Sequence, residues 1–287
     1  MFLSHLLVNT AASVGGGSPG RRWVHNPYRV HQRLWMAFPS GERTKLDKDF
    51  LDPFVPADFQ PSSRDGCDGA GRADKPRPHA PNEQHPHLVR DARDGFLFRI
   101  DPVPWSSPSR HVITVQSTTR PDWGYAFHNA PEFLDVPEYA GENPKVVSFS
   151  PDFRKGEHLR FRLRANPTKR SPFPPEAWLE KAGNNRAKGK RVGLISEEEQ
   201  RKWLERRAVP AGFRLAAFDA RSEGLTRHGK PDPQGRGTAQ GWKQTMLAVL
   251  FEGILEVTDP IAFAATASAG IGTGKAFGFG LLSLARA

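Results

Sequence analysis

At 287 residues, with a formal net charge of +10, a pI near 10.0 and 37% hydrophobic residues, the chain is long enough for one large domain or two ordinary ones, and basic enough to favour a polyanionic partner. Its single cysteine, Cys67, excludes an internal disulfide and a cysteine-built zinc cluster. No apolar run reaches membrane-spanning length and the N-terminus lacks the features of a secretory leader, so a cytoplasmic protein is the expectation.

Residues Phe2–Asn9 alternate like a strand, and the stretch VGGGSPG then reads as a turn. HNPYRVHQRLWMAF, residues 25–38, predicts an amphipathic helix. Asn26 is placed to cap it, and Pro27 suits the first turn, where no N–H is needed. Val30, Leu34 and Ala37 share the face expected to go to the core. Tyr28 and His31 share the neighbouring stripe, one turn apart. Residues 39–93 are rich in Pro, Gly and charge with little periodicity, and read as an insertion. His79, His85 and His87 within it stand in irregular Pro-rich sequence, which favours a loop over a metal site, and no metal is expected. Strands resume at Phe96–Ile100 and His111–Gln116, while PDWGYAFHNAPEFLDVPEYAGENP shows no clear element.

A second half begins near Lys145, dividing the chain into domains 1–144 and 145–287. Between Lys145 and Arg191 thirteen Lys/Arg stand against four acids, so nearly all the excess charge lies in one segment, as a binding surface requires. HLRFRLRAN (158–166) alternates strictly, with Leu159, Phe161, Leu163 and Ala165 on one face and Arg160, Arg162 and Arg164 on the other. Such a row can track or enter a nucleic-acid groove. Lys169, Arg170, Lys188, Lys190 and Arg191 extend the basic surface; GKRVGLI (189–195) reads as a partner strand forming a basic hairpin, with a second insertion at 172–187. Ser196 with Glu199 forms a capping box for a helix to about Arg207. GFRLAAFDA and MLAVLFEGILEV read as strands, Asp259–Pro260 opens a short helix as Asn26–Pro27 does, and LLSLAR closes the chain as a strand. The order strand, helix, strand, strand in each half predicts an α+β protein of two tandem ferredoxin-like βαββαβ domains.

The segment GIGTGKAFGFG is no nucleotide-binding motif. A P-loop needs Gly where Ala269 stands and Ser or Thr where Ala276 stands. A dinucleotide fingerprint precedes a helix, whereas this loop leads into a strand. Gly270, Gly272, Gly274, Gly278 and Gly280 leave a nearly bare backbone that a phosphate or another surface can approach, with Lys275 inside it. Phe277 and Phe279 are expected to anchor its far end.

LRFRLRANPTKR, GKRVGLISEEEQRKWLERRA, LFEGILEVTDP and GIGTGKAFGFGLLSLAR, in that order, together resemble the CasE family of CRISPR RNA-processing endoribonucleases, in the RAMP superfamily. NPYRVHQRLW and VQSTTRPDW match that family's first domain. The resemblance implies two ferredoxin-like domains that bind the hairpin of a CRISPR repeat transcript and cut once at its 3′ base, without metal or cofactor. It further implies that the product stays bound to a subunit of the type I-E Cascade complex, with other Cascade subunits as partners, chiefly the backbone subunit beside the 3′ end. Tyr28 and His31 fall on the family's catalytic Tyr-x-x-His pair. Metal-free cleavage uses attack by a 2′-hydroxyl on its own phosphate, so one group must take a proton and another supply one; imidazole and phenol suit these tasks, and acid and base stay unassigned between them. The family often carries a lysine where Met36 stands, with Arg29 or Arg33 as nearby replacements and His25 as a second imidazole. The alternative is a catalytically silent hairpin-binding scaffold of the same complex.

Overall fold

The computed structural model describes residues 1–10, 18–38, 95–103, 110–128, 130–135, 141–170, 191–230 and 242–287. The insertions expected at 39–93 and 172–187 lie outside these residues, as do Lys188 and Lys190. No helix among the described residues is long and apolar enough to cross a membrane.

The first unit runs β1 (Phe2–Val8), α1 (Pro19–Val24), α2 (Pro27–Trp35), β2 (Phe96–Pro102), β3 (His111–Ser117), α3 (Trp123–Phe127) and β4 (Lys145–Ser148). Its antiparallel sheet has the order β2-β3-β1-β4, with Leu6 opposite Ile113 and Ile100 opposite Ile113 on the other side. Alternation sends Leu6, Val8, Phe98, Ile113 and Val115 to one face, where Val30 and Leu34 of α2 close the core together with Trp23. The opposite face carries Leu97, Arg99, Thr114 and Gln116 and meets the second unit. Gln116 Nε2 donates to the Ala267 carbonyl over 2.6 Å, and Arg99 Nη1 donates to Ser283 Oγ over 2.7 Å.

The second unit runs β5 (His158–Ala165), β6 (Thr168–Arg170), β7 (Arg191–Gly193), α4 (Glu197–Ala208), β8 (Phe213–Lys230), β9 (Trp242–Val257), α5 (Pro260–Ala269) and β10 (Leu282–Arg286). Its main sheet has the order β10-β5-β9-β8. Leaving aside the small β6–β7 ribbon, both sheets set their first strand between their third and fourth, with the second at the edge. The protein is thus α+β with the expected ferredoxin-like strand order in both units. Leu159, Phe161, Leu163, Val249, Phe251 and Leu255 face inward against Trp203 and Leu204 of α4 and Phe263 of α5.

Several local expectations change. The glycine-rich stretch before α2 ends in α1, whose cap Ser18 Oγ accepts from the Arg21 amide and donates to the Asn9 carbonyl. Gly20 sits so close to β1 that a Cβ there would lie 2.0 Å from the Asn9 carbonyl oxygen. The segment without clear elements contains α3, capped by Asp122 Oδ1 on the Tyr125 amide, and β4, which pairs with β1. β4 therefore joins the first sheet although it lies beyond residue 144. Residues 191–193 pair with β6 rather than β5, because β9 and β10 already occupy both edges of β5. β8 extends well past Ala220 as the outer strand of a long hairpin with β9, with register shifts at Leu215/Ala217 and Ser222/Gly224. Gly253 faces the first of these irregularities, and a Cβ there would meet the Ala217 carbonyl oxygen at 2.1 Å.

Candidate functional site

Asn26 Oδ1 accepts from the Arg29 amide and Pro27 starts α2, so the helix begins at a fixed point on the seam between the units. Tyr28 and His31 lie on one stripe with ring centroids 6.3 Å apart. Tyr28 reaches across the seam. Its ring is 5.8 Å from Phe277, and it packs on a small cluster of Met246, Ala248, Phe277 and Phe279 from the second unit.

His31 is held by aromatic rings on the first unit, 5.2 Å from Phe96 and 6.0 Å from Phe98. Trp35 Nε1 donates to His31 Nε2 over 2.7 Å. An indole nitrogen only donates, so His31 Nε2 is an acceptor and the neutral ring carries its proton on Nδ1. Trp35, Phe96 and Phe98 are absent from the sequence-derived candidates. The four-residue spacing of His31 and Trp35 on a helix is the one signal that links them.

The replacements considered for a lysine at position 36 separate clearly. Met36 is buried in the first core. Arg33 donates to the Ala126 carbonyl over 3.0 Å and lies 5.7 Å from the centre of the Phe133 ring, and its burial pulls the guanidinium below the usual arginine range. Arg29 is exposed beside Tyr28. His25 Nδ1 donates to the Arg21 carbonyl, and its ring lies 6.0 Å from that of His111. Burial, helped by His25 and Arg21, holds His111 below the usual histidine range.

The loop Gly270–Gly280 is tightly closed. The Ile271 amide donates to the Gly280 carbonyl and the Gly280 amide to the Arg164 carbonyl. Gly270 has φ +74°, and a Cβ there would lie 2.6 Å from the Gly280 carbonyl oxygen and 2.8 Å from Leu97 Cδ1. Phe277 and Phe279 are buried. Lys275 Nζ donates to the Ala269 carbonyl, where it caps the last turn of α5. Gly272, Gly274 and Gly278 lie against Trp203, Phe279 and Phe98 respectively.

Arg160, Arg162 and Arg164 project from the face of the second sheet opposite α4 and α5. Arg162 pairs with Glu252 at 2.6 Å, Arg164 with Glu223 at 2.7 Å, and Lys169 on β6 with Glu199 at 2.7 Å. Arg160, Arg170 and Arg191 are exposed and make no ion pair among the described residues. Exposed pairs contribute at most about 1 kcal/mol, so a phosphate can displace these carboxylates. An imidazole and a phenol one turn apart, beside an electropositive sheet face, are equipped to move protons and to steady a phosphate.

The model of a family described as "CRISPR associated protein" matches residues 80–286. The CRISPR-associated endoribonuclease Cse3 of Thermus thermophilus is 37% identical over 204 residues, covering 69% of this chain and 82% of that protein. The Cascade subunit CasE of Escherichia coli K12 is 37% identical over 265 residues, covering 92% of this chain and 94% of that protein. A solved structure of Thermus thermophilus Cse3 bound to an RNA representing a pre-cleavage complex has a TM-score of 0.59 at 28% identity, covering 99% of this chain and 98% of that one. With the shared fold and these matches along most of its length, the chain belongs to the CRISPR-associated protein family of CasE and Cse3.

Proposed function

We propose that this protein is a metal-independent endoribonuclease that cuts CRISPR repeat transcripts at the base of the repeat hairpin and remains on the product as a Cascade subunit. The observation that carries this reading is the pairing of Tyr28 and His31 at the seam between the units, next to the basic face of the second sheet. The names of its relatives, an endoribonuclease and a Cascade subunit, support it.

The chemistry is self-contained. The 2′-oxygen bonds to the adjacent phosphorus as its proton leaves, and the bond from phosphorus to the 5′-oxygen breaks as that oxygen gains a proton. The products are a 2′,3′-cyclic phosphate and a 5′-hydroxyl. His31 is the proton-transfer group, since imidazole titrates near neutrality. Tyr28 donates a phenolic hydrogen bond to the phosphate oxygens as charge builds on them. Arg29 supplies the positive charge that Met36 cannot. Lys169, Arg170 and Arg191 on the ribbon and Arg160, Arg162 and Arg164 on β5 hold the RNA backbone.

The buried Met36 favours a second reading, a scaffold that binds the hairpin without cutting it. Incubating the protein with repeat RNA from its own genome in EDTA separates the two. A single cut at the 3′ base of the hairpin is expected, and tight binding without a cut selects the scaffold.

A further inference from the structure

The face of the second sheet opposite α4 and α5 is a groove with a direction. Alternation along β9 turns Met246, Ala248, Leu250, Glu252 and Ile254 onto this face, opposite the core residues Leu247, Val249, Phe251 and Leu255. Tyr28 packs on the cluster that Met246 and Ala248 form with Phe277 and Phe279, its ring 5.8 Å from that of Phe277. Leu250 lines a first cleft of about 370 Å³ with Arg164, Phe279, His25 and Pro27. Glu252 and Ile254 line a second of about 590 Å³ with Arg99, Arg160, Arg162 and Ser283. From Met246 to Ile254 the strand rises roughly 26 Å. The β6–β7 ribbon sits at the other end, since it continues from Ala165 at the end of β5, and a Cβ on Gly193 would lie 3.3 Å from Leu247. Tyr28 is therefore at the ribbon end of the groove, and the arginine cleft is at its far end.

The lining of the far cleft has two parts. Ile254, Ala285 and the Gly253 backbone make an apolar floor, and three guanidinium groups stand around it. Arg99 belongs to the first unit. It is nearly buried and fixed by Asp101 at 2.7 Å and by Ser283, so its charge is already in place. Arg160 is exposed and makes no ion pair among the described residues. A duplex hides its bases and offers a protein mainly phosphate and sugar. Unpaired nucleotides offer phosphates together with flat, weakly polar base faces, which pack on aliphatic side chains and guanidinium planes. A floor of aliphatic groups rimmed by arginines fits the second kind of ligand.

We infer that the cleft formed by Arg99, Arg160, Arg162 and Ser283 holds the unpaired RNA flank at the hairpin base, while the β6–β7 ribbon holds the paired stem. This rests on the RNA-processing reading above and divides its binding surface in two. The scissile phosphate lies between, at Tyr28 and His31. Arg160 and Arg162 contact flank phosphates, and Arg99 fixes the wall contributed by the first unit.

The test measures affinity of the full-length protein for three RNAs made uncleavable by a 2′-deoxy nucleotide at the cut: the hairpin alone, the hairpin with its 5′ flank, and the hairpin with its 3′ flank. Wild type binds one of the flanked RNAs roughly tenfold more tightly than the bare hairpin, the increment of a charged hydrogen bond, and that RNA identifies the strand. Arg160→Ala loses this increment, so that it binds the flanked RNA no more tightly than the bare hairpin. Arg170→Ala weakens all three RNAs alike. If neither flank adds affinity, or if Arg160→Ala weakens the bare hairpin as much as the flanked RNA, the division is wrong although the RNA-processing reading stands. If wild type binds none of the three, both fall.

Discussion

Trp35 donates its indole N–H to His31 Nε2 across one turn of α2, at 2.7 Å. This bond fixes the ring orientation and favours the neutral imidazole, because a protonated Nε2 has no lone pair to accept it. Trp35→Phe keeps the aromatic packing and removes the donor. The fall in cleavage rate on the acid side should then move to higher pH, with RNA affinity unchanged, in a single-turnover pH–rate profile. An unshifted profile would show that Trp35 only packs.

Phosphate contacts release counterions, so affinity for the stem should fall with salt on a slope of about −0.9 per phosphate neutralised. Arg170→Ala should flatten that slope by about one unit if one contact is lost. Filter-binding titrations at several salt concentrations measure it. A slope unchanged by the variant removes Arg170 from the RNA surface.

The glycine loop makes a stability prediction. Gly270 has φ +74°, and a Cβ there would press on the Gly280 carbonyl and on Leu97 of the other unit. Gly270→Ala should cost about 1–3 kcal/mol and lower the Tm. Gly272 has φ +88° and a Cβ there would lie 3.2 Å from the Trp203 ring, so Gly272→Val should also lower the Tm by displacing a core tryptophan. Thermal melts of the pair at wild-type level would mean that the loop is loosely held.

Much of this architecture is legible in the sequence, because alternation in β5 and β9 and the Asx-Pro starts of α2 and α5 are local signals. Ser18–Pro19 is the same kind of start, hidden by the glycines around it. The five residues of α3 are too few to show a period, and β4 is a mostly exposed edge strand with little apolar pattern. Beyond Ala220, β8 carries Arg221, Ser222 and Glu223, all exposed, so no buried face marks it as a strand. In the site, Tyr28 and His31 stand out because three residues separate them. Phe96 and Phe98 reach His31 only through the sheet, and Arg99 meets Ser283 across 184 residues of chain. Contacts of that kind leave no mark on spacing. The row of β5 arginines is legible, but the acids that pair with it, Glu223 and Glu252, come from other strands.

His5 and His111 set a pH dependence of stability. Both titrate below the usual histidine range, chiefly through burial; Lys145 and Arg99 add to this for His5, His25 and Arg21 for His111. Above about pH 6.5 both states are neutral and neither residue contributes. As pH falls below that, the unfolded chain binds protons that the folded one resists, so stability drops. The Tm should therefore decline from about pH 6.5 toward pH 5, and less steeply in His111→Gln. Equal slopes for wild type and variant would contradict the assignment to His111.

The central claim is that His31 moves a proton in a metal-free cut. Its most direct test is the single-turnover cleavage rate of wild type and His31→Ala on repeat RNA in EDTA, with affinity measured alongside. The account predicts full wild-type activity in EDTA, a loss of roughly 10²–10⁴-fold in rate for the variant, and affinity within about twofold, since the contact is made mainly in the transition state. A His31→Ala variant that cuts at the wild-type rate, or a wild type that cuts only with added magnesium, would contradict it.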